Sequence, residues 1–189
     1  MRKFLSFVIL LFTLCNFINA DDRFYKLSAI DTNGNEVQFE EFRGKVVLIV
    51  NVATYCGFTK DHYTELVKLQ NILGYKKNLI ILAFPCNQFG QQEPDSDKEI
   101  NEFVQTVYKI NFLLFKKIDV IGENIHPVFQ FLFEESGKQP NWNFWKYLID
   151  HSGNFLNAWS PFTSVSAIFE DVKSAVEKAD HHAIPLKEL

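Results

Sequence analysis

The chain has 189 residues, 47% of them hydrophobic and 22% charged, with a formal net charge of -4. That length suits one domain with a proper core, and that composition excludes an intrinsically disordered chain. No basic cluster stands out, which argues against nucleic acid as a partner.

The first segment reads as a targeting sequence. Arg2 and Lys3 precede an apolar stretch, residues 4–15, broken only by Ser6 and Thr13, and Ala20 stands before Asp21-Asp22. This is the layout of a secretory signal peptide over residues 1–20, with the folded domain at 21–189. Ile18 is bulky for a cleavage site, so an uncleaved signal anchor is the alternative. Even to Ile18 the stretch is shorter than the ~20 residues a membrane-spanning helix needs. Cleavage removes Cys15, so Cys56 and Cys86 remain of the three cysteines. Two cysteines in an oxidising compartment ordinarily suggest a structural disulfide. There is no CxxC pair, and two cysteines with scattered histidines do not make a zinc site.

From Arg23 onward the elements follow in order. Residues 24–29 and 36–39 read as a hairpin around Asn33-Gly34. Residues 45–50 form an apolar, β-branched run, the pattern of a strand buried on both faces. Thr59 is placed to cap a helix over residues 59–73, with Tyr63, Leu66, Leu69 and Leu73 inward and Gly74 as its stop. Residues 79–84 form a second buried strand that Pro85 ends. Strand, helix, strand at this spacing is a right-handed βαβ unit with parallel strands. Cys56 and residues 85–92 therefore emerge side by side at one edge of the sheet.

Ser96-Asp97-Lys98-Glu99 is a capping box. Its helix carries Ile100, Phe103, Val104, Val107 and Tyr108 at inward spacing. Residues 117–120 read as a short strand. His126-Pro127 opens a helix with Val128, Phe131 and Leu132 inward, closing near Gly137. Residues 145–149 and 154–158 flank a turn at 150–153. Ser164 is placed to cap a final helix with Ile168, Val172, Ala175 and Val176 on one face. With no repeat or linker, the order predicts an α/β domain of three layers, α/β/α, around a mixed sheet.

Cys56 lies where a buried strand hands over to a helix. A thiol there meets the positive end of the helix dipole and unpaired backbone N–H groups, which favour the nucleophilic thiolate. The competing reading is a small core cysteine.

Three blocks carry a family resemblance: residues 51–57 (Asn-Val-Ala-Thr-Tyr-Cys-Gly), residues 84–93 (Phe-Pro-Cys-Asn-Gln-Phe-Gly-Gln-Gln-Glu) and Trp142-Asn143-Phe144. They resemble the signature blocks of the glutathione peroxidases, over residues 24–176. The resemblance implies a thioredoxin-like fold and a thiol-dependent peroxidase acting on hydrogen peroxide and organic hydroperoxides, with a part in the response to oxidative stress and no cofactor. It aligns the peroxidatic residue with Cys56 and the supporting residues with Gln92, Trp142 and Asn143. Taken singly, Gln92 also fits a surface loop, Trp142 a core aromatic and Asn143 a turn. Neutral donors suit the chemistry, because they assist an anion without a carboxylate that would oppose the thiolate.

The chain departs from parts of that family. The thioredoxin-dependent branch carries a resolving cysteine in the helix after the second block, where this chain has Gln105. Cys86 is then the remaining candidate for resolving the Cys56 sulfenic acid, against the alternative of a bystander thiol. The short run from Gly137 to Trp142 is similar to monomeric members. Residues 89–96 and 142–147 most resemble the secretory-pathway branch, whose reductants are protein disulfide isomerases more than glutathione. The final Glu188-Leu189 is shared with the retention tetrapeptide of the endoplasmic reticulum, so the lumen and secretion both stay open. His181-His182 is too short for a metal tract. The alternative to an enzyme is a redox-partner binding or scaffold protein of the secretory pathway that turns over little peroxide.

Overall fold

The computed structural model describes residues 22–74 and 78–183, with side chains to 181. The expected signal segment, Cys15 and the last six residues lie outside the described residues. Among the described residues seven strands and five α-helices run in the order α1 (Asp22–Tyr25), β1 (Ser28–Ile30), β2 (Glu36–Gln38), β3 (Val46–Val52), α2 (Thr59–Leu73), β4 (Leu79–Pro85), α3 (Asp97–Val107), β5 (Leu113–Leu114), α4 (Pro127–Ser136), β6 (Lys146–Ile149), β7 (Phe155–Trp159) and α5 (Phe169–Ala183). A five-stranded sheet has the order β5-β4-β3-β6-β7, and β1-β2 form a separate hairpin. β3, β4 and β5 are parallel, and β6 and β7 add antiparallel, so the sheet is mixed as expected.

The core is divided by the pleat of β3 and β4, because successive side chains in a strand point to opposite faces. Val46, Leu48, Val50 and Val52 of β3 join Ile81 and Ala83 of β4 beneath Leu66 of α2 and Val172 of α5. Val47 and Ile49 join Leu82 and Phe84 on the other face, against Phe24, Phe39, Phe129 and Leu132. Both faces are covered, which gives the three layers. It also explains why β3 reads as a continuous apolar run: all seven of its residues are buried.

Several local expectations are corrected. Residues 24–29 open with the single turn α1, closed by the Leu27 N–H donating to the Phe24 carbonyl at 3.2 Å, and the strand begins only at Ser28. Residues 117–120 are not a strand, because Lys117 donates its N–H to the Asp97 side chain (2.8 Å) instead of a neighbouring strand. The fifth strand is the two-residue β5, earlier in the chain. The Ser96–Glu99 capping box is present, but α3 buries only Ile100 and Val104; Phe103 and Tyr108 pack partly, and Val107 is exposed. Ser164 does not cap α5: it accepts from the Ala167 N–H (3.1 Å) inside a 3₁₀ turn at Ser166–Ile168, whose N-cap is Val165 and which leads into α5. Ile168, Val172, Ala175 and Val176 are buried as expected.

Candidate active site

Cys56 follows β3 by four residues and precedes α2 by three, at the carboxyl end of the parallel strands. It is 8% exposed. Thr59 does not cap α2; the N-cap is Phe58, which makes no side-chain bond. Thr59 sits inside the first turn, and its hydroxyl turns back to donate to the Ala53 carbonyl (2.6 Å) and accept the Cys56 N–H (3.1 Å). The Cys56 carbonyl in turn accepts the Thr59 N–H at 3.0 Å. One threonine thus fixes the backbone on both sides of the thiol, at a helix end that favours negative charge.

Gln92 arrives on the loop after β4. The Tyr55 N–H donates to its carbonyl at 3.0 Å, which joins that loop to the Cys56 turn. Gly90 and Gln91 both have positive φ (65° and 53°). A Cβ on Gly90 would stand 3.4 Å from the Trp142 ring, so the loop backbone passes close under that indole. Asn143 is fully buried, and its Nδ2 donates to Gln92 Oε1 at 3.0 Å. Trp142 is 37% exposed, with the Phe89 ring 6.3 Å from its own. Gln92, Trp142 and Asn143 are therefore assembled together, tied through Tyr55 to the turn that carries Cys56.

The segment bearing Trp142 and Asn143 is held by residues that sequence reasoning did not single out. Asn51, the last polar residue of β3, is 0% exposed. Its Nδ2 donates to the Trp142 carbonyl (3.0 Å), its Oδ1 accepts the Trp145 N–H (3.0 Å), and its carbonyl accepts the Phe144 N–H (2.6 Å). Phe144 has φ 66°, a left-handed conformation that is rare for a bulky residue and is retained only where surroundings enforce it. Its ring stacks on His62 (5.0 Å, 16°) and meets Tyr63 edge-on (5.8 Å, 84°). Its carbonyl accepts from the buried Lys146 Nζ (2.8 Å), which also donates to the Ser160 carbonyl at 3.1 Å. Burial lowers Lys146 to about 7. Burial, helped by Lys146, lowers His62 to about 4, so that ring is neutral. The signal for Asn51 was present: an amide closing a strand that is otherwise apolar on both faces must have buried partners.

Cys86 is not brought to Cys56. It is a free thiol, 0% exposed, in the core on the opposite face of the sheet from Cys56. Its N–H donates to the Val52 carbonyl at 3.0 Å. Burial pushes its thiol up to about 11. An internal disulfide would require the end of β4 to rearrange. Gln105, in the position of the other branch's resolving cysteine, is exposed on α3. Among the described residues no group of three or more His, Cys, Asp or Glu could hold a metal ion, and no helix is long and apolar enough to cross a membrane.

The family model for glutathione peroxidase matches residues 24–133. Glutathione peroxidase 7 of Bos taurus is 49% identical over 155 residues, covering 82% of this chain and 83% of the relative. The crystal structure of T. cruzi GPX1 is similar with a TM-score of 0.67 at 30% identity, covering 82% of this chain and 96% of that one. A thioredoxin family thiol:disulfide interchange protein from Chlorobium tepidum TLS shares the fold, with a TM-score of 0.61 at 16% identity over 79% of this chain and 92% of its own.

Replacing Asn51 by alanine should leave the part-buried Trp145 N–H and Trp142 carbonyl without their side-chain partners. Each such group costs about 1–3 kcal/mol. The expected result is a denaturation midpoint lowered by the equivalent of about 2–4 kcal/mol with an unchanged m-value, and red-shifted tryptophan emission in the folded state. Wild-type stability and emission in Asn51→Ala would show that the segment is held by other bonds.

Proposed function

The chain belongs to the glutathione peroxidase family and is a thiol-dependent peroxidase, and we propose that Cys56 is its peroxidatic residue, served by Gln92, Trp142 and Asn143. The observation that supports this most is the joining of three separate segments at one sheet edge, with a cysteine on one and neutral donors on the other two. The Cys56 thiolate attacks one peroxide oxygen; an S–O bond forms, the O–O bond breaks, and the other oxygen leaves as hydroxide or alkoxide and takes up a proton. With Asn143 Nδ2 donated to Gln92 Oε1, the Gln92 Nε2 donors are left for the reacting oxygens. The Trp142 indole N–H is the second donor, and its ring covers the loop beside it. In this reading Asn143 orients Gln92 more than it touches peroxide.

The resulting sulfenic acid must be reduced by a thiol, which expels water and leaves a disulfide. We propose that the reductant is a protein dithiol such as a protein disulfide isomerase, with glutathione as the alternative. The resemblance of residues 89–96 and 142–147 to the secretory-pathway branch supports this. The exposed aromatics Tyr55, Trp142 and Phe162 give a partner protein a surface to meet around the site. The short run from Gly137 to Trp142, similar to monomeric members, supports a monomer, and the secretory-pathway resemblance with the signal-like residues 1–20 supports the endoplasmic reticulum lumen or secretion as the location. No observation favours the scaffold alternative.

Cys56→Ser should abolish peroxide turnover with the fold intact, since serine keeps the shape and loses the thiolate. Gln92→Ala and Trp142→Phe should each slow Cys56 sulfenylation by ~10²–10³, the loss expected for a preorganised donor. Rapid mixing with peroxide checks both, and unchanged rates would refute the assignment. Peptide mapping after one equivalent of peroxide, without reductant, tests the candidate resolving role of Cys86. A Cys56–Cys86 crosslink assigns resolution to the chain itself. A sulfenic Cys56 beside a free Cys86 thiol, the outcome that the opposite faces favour, assigns it to an external thiol. N-terminal sequencing of the native protein should begin near Asp21; retention of Met1 would mean a signal anchor.

A further inference from the structure

The buried carboxyl of Glu93 has no part in the steps above, yet it stands beside both halves of the site. Its residue follows Gln92 directly, and its side chain crosses to the turn that leads into Cys56. There Thr54 Oγ1 donates to Glu93 Oε1 at 2.6 Å, with both residues buried. On its own side Glu93 is fixed at both ends: its N–H donates to Asn87 Oδ1 (2.9 Å), and its carbonyl accepts from Lys117 Nζ (2.9 Å). Two bonds therefore clasp the Gln92 loop to the Cys56 turn: the backbone bond from Tyr55 to Gln92, and this one through a carboxyl.

The clasp is built for an uncharged acid. Glu93 Oε2 is buried with no hydrogen-bond partner, and so is the Tyr63 hydroxyl of α2. A carboxylate there would hold a charge on an oxygen that neither water nor protein solvates. The groups that face Glu93 do not remove that penalty. The Thr54 hydroxyl and N–H, and then Lys117, favour the ionised form, while Asp95 disfavours it. Tyr63 is held far above its ordinary range by burial, and the exposed Tyr55 is raised chiefly by its bond to Asp95, so both phenols stay protonated. Cys86 is likewise held protonated by burial. Burial dominates, and the Glu93 carboxyl is raised to about 7.

We propose that Glu93 is a positioning residue that acts as a neutral carboxylic acid, clasping Thr54 to hold the Gln92 amide against the Cys56 turn and releasing that clasp when it ionises. The Thr54 bond by itself would strengthen on ionisation, but the charge also falls on Oε2, which has no partner; the side chain turns toward water to solvate that oxygen, and that movement opens the Thr54 bond. Ionisation also puts a second negative charge near the turn that carries the thiolate. The proposal rests on the reading of Cys56 and Gln92 given above.

The test measures Cys56 sulfenylation by rapid mixing from about pH 6 to about pH 8 in the wild type and in Glu93→Gln, which is neutral at every pH. The ratio of the Glu93→Gln rate to the wild-type rate should climb roughly tenfold across that range, as the wild-type carboxyl ionises. A ratio that stays flat overturns the proposal. Infrared titration of the wild-type protein, with Glu93→Gln as the band assignment, reads the proton directly. A protonated carboxyl band that persists at about pH 6 and fades near neutrality is expected, and an ionised Glu93 at about pH 6 overturns the proposal. Thr54→Val gives a second route: its rate should fall and lose the Glu93-dependent part of the pH profile, whereas an unaltered profile overturns the clasp. The infrared result does not depend on Cys56. Turnover surviving in Cys56→Ser would refute the reading of the site while leaving the state of Glu93 measured.

Discussion

The site depends on a single buried amide. Asn51, next to last in the central strand β3, donates its side-chain N–H to the Trp142 carbonyl and accepts the Trp145 and Phe144 N–H groups on its side-chain oxygen and its main-chain carbonyl. No regular strand pairing is available there, because the chain is turning from a loop into β6 through a left-handed Phe144. Without the Asn51 side chain the Trp142 carbonyl and the Trp145 N–H would lose their partners. With it, the turn is as fixed as the strand. The Trp142 indole and the Asn143 amide it carries inherit their position from a fully buried strand of the sheet, which suits the donor role proposed for this site.

The other polar groups packed around the site share a tendency. Burial moves the Glu93 carboxyl up, the His62 ring and the Lys146 amine down, and the Cys86 thiol up. Each shift runs toward the uncharged form. A catalytic anion in such surroundings has few fixed charges to compete with, and dipoles and hydrogen bonds stabilise it instead.

The regular elements were legible because their signals are local. The apolar run of β3, the span of α2 and the Ser96–Glu99 box each depend on residues within a few positions of one another. The βαβ rule then placed Cys56 and the Gln92 loop at the same edge. The misreadings are tertiary in origin. Thr59 fits an N-cap by type, but the tight turn at Cys56 takes its hydroxyl instead. Residues 117–120 have strand composition, but Asp97 on α3 takes the Lys117 N–H that would start a ladder. The family blocks pointed to Gln92, Trp142 and Asn143, yet they gave no role to Asn51, Glu93 or Lys146, whose parts become visible only when the segments meet. The separation of the two cysteines was also hidden. It follows from the strand pleat, which directs Cys86 toward the Phe84 face while the crossover carries Cys56 to the α2 face.

The Asn51 attachment also has a dynamic meaning. Loops ordinarily exchange their amide protons through small, frequent openings, while central strands exchange only through rare, larger ones. The Phe144 and Trp145 amides lie in irregular chain, yet both are donated into β3. The Phe144 proton is released when this turn parts from the β3 backbone, and the Trp145 proton when the Asn51 side chain swings away. The opening of the segment that presents Trp142 and Asn143 is thereby coupled to that of the central strand.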